Sequence, residues 1–149
     1  MSNDARVTKS LITVLEDGKA GFADAAGKLD ETHRSELVAR FQALSVQRAE
    51  FADELQALAA TYGDDIEESG SVAAAAHRGW MAVKAMLAGE DADGVLDAAE
   101  QGEDHAVRVY QDALDDEISN GLRTVVQRQF TSVKAAHDEV RAARNVSAK

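Results

Sequence analysis

Four polar residues stand where the helical periodicity of the chain otherwise places apolar ones: Arg48, Glu103, Gln129 and, at the edge of its stripe, His137. Carboxylates and imidazoles aimed into the middle of a helical bundle can hold a pair of metal ions. Each helix then supplies a carboxylate, and two helices carry Glu-x-x-His so that both ligands share a face. That spacing is absent here, because the residue three before His137 is Lys134 and the residue three before His105 is Gly102. A guanidinium at position 48 argues further against a metal pair, since it is always charged, has no lone pair to donate and repels a dication.

Arg48, Glu103 and Gln129 each fall near the middle of their own periodic segment, as does Gly18 with its neighbour Asp17, so in an antiparallel bundle these sites share one layer. The reading that follows is a buried polar layer of Arg48, Glu103, Gln129 and Asp17, with an Arg48–Glu103 ion pair setting helix register. The alternative is an atypical iron or manganese site drawn from Glu103, His137, Glu50 and Glu54. No other chemistry is spelled out. There is no cysteine, no glycine-rich phosphate loop after a strand, no Gly-x-Ser-x-Gly and no nucleophile beside an evident base. The acidic stretch Asp64, Asp65, Glu67, Glu68 lacks calcium-loop spacing. His33 and His77 read as surface or capping residues.

The elements that would position these residues are helices. The 149 residues are 45% hydrophobic and contain no proline, which suits one compact domain with no strong helix breaker. Val7, Leu11, Val14, Gly18, Phe22 and Ala25 recur at alternating steps of four and three, predicting a helix over about 4–26, with Gly27 as its cap and Asp30 as the next N-cap. Leu37, Phe41, Leu44, Arg48, Phe51, Leu55, Leu58 and Tyr62 predict a second helix over about 31–62. Two adjacent rows, one through Val95, Ala99, Gly102, Ala106, Val109 and Ala113 and one through Leu96, Glu103, Tyr110 and Leu114, predict a helix over about 91–116 with a wide buried arc. Leu122, Val126, Gln129, Val133, Ala136 and Val140 predict the last helix over about 119–144.

Between the second and third of these, Val72, Ala76, Gly79, Val83 and Met86 mark a shorter helix over about 71–88, docked through Trp80, Met81 and Met86. At 1.5 Å per residue it spans roughly 27 Å, enough to carry the chain along a bundle. The expected fold is all-α: a ferritin-like four-helix bundle in a single domain over 1–149, with one additional crossover helix between bundle helices two and three. A formal net charge of −11 repels nucleic acid and anionic membranes. No stretch approaches the roughly 20 apolar residues of a membrane span, and no signal segment opens the chain, so a cytoplasmic location is expected. Partners are expected to be a second copy of the chain or another protein.

The segments LEDGKAGFADAA (15–26), QRAEFADEL (47–55), ESGSVAAAAHRGWMAVKAML (68–87), EQGEDHAVRVYQDAL (100–114) and VKAAHDEVRAAR (133–144) resemble a family of small bacterial ferritin-like proteins, found mainly in Proteobacteria, that carries a domain-of-unknown-function label. The resemblance spans nearly the whole chain, and GSVAAAAHRGWM is its most distinctive part. It implies a four-helix bundle, relatedness to stress-associated ferritin-like proteins and no established activity. It brings no metal ligands, because the paired Glu-x-x-His of ferritins and rubrerythrins is missing. Taken together, these features predict a non-enzymatic bundle with no cofactor, acting as a stress-associated structural or protein-interaction module.

Overall fold

The computed structural model describes residues 3–30, 34–61 and 92–147. These residues form four helices and no strand: α1 (Asp4–Asp30), α2 (Ser35–Thr61), α3 (Ala92–Asp115) and α4 (Asn120–Ser147). The helix expected over 71–88, with Trp80, Met81 and Met86, lies outside the described residues, as do the acidic stretch 64–70, His33 and His77. No helix among the described residues is long and apolar enough to cross a membrane.

Each helix forms because its apolar stripe has somewhere to go. Val7, Leu11, Phe22 and Ala25 of α1 are buried, as are all six inward positions of α4 from Leu122 to Val140. Helix α1 does not stop at Gly27. It runs on to Asp30 and carries Leu29 into the core at 0% exposure, and burying that leucine outweighs the roughly 1 kcal/mol that an interior helical glycine costs. In α2 the buried row drifts: Phe41, Leu44 and Arg48 are buried, but further on Ala52 and Ala59 face inward while Phe51 and Leu58 flank the core. A four-three repeat averages 3.5 residues per turn and a straight helix 3.6, so the inward direction slips about 20° per heptad, enough over two heptads to move it by part of a residue.

Helix directions follow from contacts at their ends. The backbone N–H of Asn3 donates to the Glu117 carbonyl at 2.9 Å and an Asp4 carboxylate oxygen accepts the Ser119 N–H at 2.8 Å, so α1 begins where α3 ends. Arg40 pairs with Glu139 and Arg128 with Glu54, so α2 and α4 are antiparallel; Arg144 with Asp97 and Tyr110 with Gln129 set the same relation for α3 and α4. Helix α1 packs on α2 and α3, and α4 packs on α3 and more lightly on α2. Helices α2 and α3 therefore run parallel on the diagonal. Arg123 ties the α3–α4 turn by donating to the carbonyls of Leu114 and Asp116, which the end of α3 leaves without helical partners.

The apolar core is divided in two. One cluster gathers Phe22, Leu29, Phe41, Leu44, Val95, Leu96 and Val140; the other gathers Leu11, Leu15, Leu55, Tyr110, Leu122 and Val126. Between them, in sequence along every helix that contributes, fall Asp17, Gly18, Arg48 and Glu103.

Candidate functional site

Arg48 and Glu103 meet at the division between the two apolar clusters. Both side chains are 1% exposed, and the guanidinium fork donates through Nη1 and Nη2 to the two carboxylate oxygens of Glu103 at 2.6 and 2.7 Å. The third nitrogen, Nε, donates to the Gln47 side-chain oxygen at 3.3 Å. Two parallel charge-assisted bonds fix both distance and plane, which a lysine at the same position would not do. The guanidinium carbon also lies 5.2 Å from the centre of the Phe22 ring, which in turn meets Phe41 edge-on. Gly18 packs against this arrangement. A Cβ there would stand 3.5 Å from both Cγ and Nη1 of Arg48, so the arginine lies directly over the α1 backbone. Asp17 beside it is buried at 3% exposure.

Gln129 belongs to a different contact. Its Oε1 accepts a 2.8 Å hydrogen bond from the Tyr110 hydroxyl, and its amide nitrogen donates to the Phe51 carbonyl at 3.2 Å and to Glu54 at 2.9 Å. It thus sits in the cluster with Leu122 and Val126 and not against Arg48. The register between two helices depends on how they interlock, which the midpoint of either helix does not fix. Burial pushes the Tyr110 hydroxyl far above the ordinary phenol range, so it stays protonated and serves Gln129 as a donor.

The alternative metal ligands are dispersed. Glu103 is held by Arg48, Glu54 by Gln129 and Arg128, and Glu50 is exposed. His137 turns instead toward α3 and meets Asp104, with Nε2 2.6 Å from a carboxylate oxygen, while its Nδ1 lies 3.1 Å from Asp138. Among the described residues, the acidic and histidine side chains whose donor atoms converge are Glu100, Asp104 and His137, each offering one atom within 4.8 Å of the others. Arg141 donates from Nε to Glu100 at 2.8 Å, and Arg144 Nε lies 2.6 Å from the other Glu100 oxygen but out of line for a hydrogen bond, a contact of charge alone. Sequence periodicity alone does not single out Glu100 and Asp104. Their signal is an i, i+4 pair on α3 facing His137, Arg141 and Arg144 at i, i+4 and i+7 on α4.

His105 is half-buried. Desolvation, with Arg108 nearby adding repulsion, holds its pKa below the ordinary 6.5. A histidine that binds its proton less well folded than unfolded contributes no penalty above pH 6.5 and costs stability as pH falls below that value. Urea midpoints are expected to drop between pH 7 and 5, and His105→Gln should shrink that drop. An unchanged pH dependence in the variant would show that His105 is not the group responsible.

With this geometry in view, the chain can be placed among known proteins. The family pattern of DUF2383, a domain of unknown function, matches residues 5–116. The chain belongs to the DUF2383 family. No match to it was found among curated proteins. The matched DUF2383 region covers α1, α2 and α3, and so contains Arg48, Glu100, Glu103 and Asp104, while His137, Arg141 and Arg144 lie beyond it on α4.

Proposed function

We propose that this DUF2383 protein is a non-enzymatic ferritin-like bundle, a stress-associated structural or protein-interaction module of the bacterial cytoplasm that works as a homo-oligomer or with a protein partner. The observation that carries this reading is the Arg48–Glu103 pair at the bundle centre. A ferritin-like protein that oxidises iron needs that space for two cations and their carboxylates, and a guanidinium with 1% exposure cannot step aside. The ferritin-like connectivity is supported by the helix directions. Helix α2 ends beside the start of α1 and α3 starts at the opposite end, so α2 and α3 are parallel, the relation that ferritin-like connectivity gives its second and third bundle helices. The stress association rests on the sequence resemblance, and the net charge of −11 favours a protein partner over nucleic acid.

Ferrous iron added in air to the purified protein tests the reading. Iron is expected to oxidise no faster than in protein-free buffer, and light scattering reports whether the chain self-associates. A saturable, protein-dependent oxidation that falls away in Glu103→Gln would overturn the proposal.

A further inference from the structure

We propose a single divalent-cation site on the α3–α4 face, away from the bundle centre, built from Glu100, Asp104 and His137 and suited to a transition cation of the zinc class. Three features set it apart from a chance cluster of charges. Glu100 and His137 are buried, with side chains 9% and 8% exposed, while Asp104 at 39% leaves a coordination position open to solvent. Glu100 and Asp104 stand one helical turn apart on the same face of α3, opposite the imidazole, and one donor atom of each residue lies within 4.8 Å of the others. Two ligands of one tetrahedral zinc sit about 3.5 Å apart, so small side-chain rotations close the set.

The third feature is the far side of the ring. His137 Nδ1 faces Asp138 at 3.1 Å, the arrangement in which a ligating histidine gives its other N–H to a carboxylate and is thereby fixed in tautomer and plane. A metal ion on Nε2 would take the place opposite Asp104, leaving the Nδ1 hydrogen of a neutral imidazole facing Asp138.

The arginines here differ from Arg48 in one decisive respect. Arg141 and Arg144 are 52% and 39% exposed, so both can turn into water, and Arg144 keeps Asp97 as a partner at 3.0 Å when it releases Glu100. Asp97, Glu100, Asp104 and Asp138 together outweigh Arg141, Arg144 and Lys134, leaving the cluster net negative toward an incoming cation. An imidazole with two carboxylates favours zinc over magnesium or calcium, which prefer oxygen ligands alone.

Calorimetric titration of tag-free, chelator-stripped full chain with Zn²⁺ tests the site. One zinc per chain is expected. His137→Ala should weaken binding by more than tenfold, Asp104→Asn and Asp138→Asn by about tenfold, and Glu50→Gln should leave it unchanged. Asp104 and Asp138 are exposed enough that these two variants should keep wild-type helicity, so the test survives a folding defect in His137→Ala. Arg141→Gln should tighten binding severalfold by removing a competing cation, an outcome that a merely structural cluster does not produce. No saturable binding, binding indifferent to Asp104 and His137, or weaker binding in Arg141→Gln would each overturn the proposal. Two cations per chain lost in Glu103→Gln would instead place the metal at the bundle centre, overturning this site and the non-enzymatic reading together.

Discussion

Glu103→Leu is expected to lower the unfolding free energy by about 3–5 kcal/mol, read from urea denaturation, and to lower the melting temperature by on the order of 10 °C. The size of the effect comes from what remains. With the carboxylate gone, a guanidinium with 1% exposure has lost both of its charge-assisted bonds and, among the described residues, keeps the Gln47 oxygen at 3.3 Å as its polar partner. Arg48→Met should cost a similar amount for the mirror reason, an ionised carboxylate left without its counter-ion. Replacing both partners, Arg48→Met with Glu103→Leu, should recover most of the loss, because neither charge then has to be desolvated and the two apolar clusters join into one. If the double variant is as unstable as either single one, the pair is not the unit that matters. If Glu103→Leu costs less than about 1 kcal/mol, the layer is wetter than its burial implies.

The recovery expected of the double variant bears on why the pair exists. An ion pair that apolar residues could replace contributes little net stability, and the role its bidentate geometry supports is specificity of packing. Bidentate geometry fixes the register of α2 against α3, and the α1 backbone at Gly18 lies in van der Waals reach of the arginine. This division of labour fits a module whose surface, not its interior, meets other molecules.

How much of this could be read from the sequence differs from residue to residue. The stripe of α4 from Leu122 to Val140 is legible because burial on one helix face is a property of that helix alone, and all six positions are buried. Arg48 stands out for the same reason, as the one charged member of an apolar repeat. What depends on two helices at once is harder. Phe51 and Ala52 differ only by a slow rotation of the inward direction, which the strict repeat hides. Gln129 pairs with Tyr110 and not with Arg48 because interhelical register is set by interlocking side chains, and helix midpoints locate it only to within a turn or two. Glu100, Asp104, Arg141 and Arg144 read as ordinary solvated charges in a chain that is 29% charged; only the facing of α3 on α4 turns them into a group with His137. Gly27 looks like a stop until Leu29, two residues on, is seen to need a place in the core.

Phe22→Ala is expected to cost about 3–5 kcal/mol, rivalling the loss of Glu103. The ring is fully buried and does two things at once: it fills the core between α1 and α2, where its edge-on contact with Phe41 has a centroid separation of 5.2 Å, and it supports the Arg48 guanidinium from below at 5.2 Å. Phe22→Leu separates these roles, since leucine keeps most of the volume and none of the ring. In the native background the swap should cost about 1.5 kcal/mol for packing and up to about 2 kcal/mol more for the desolvated cation–ring contact. In the Arg48→Met, Glu103→Leu background the second part has nothing to act on, so Phe22→Leu should cost only the packing share. Equal losses in the two backgrounds would mean that the ring is core and nothing else. Unequal losses would tie the aromatic floor of the polar layer to the charge above it, making Phe22, Arg48 and Glu103 one coupled device from three helices.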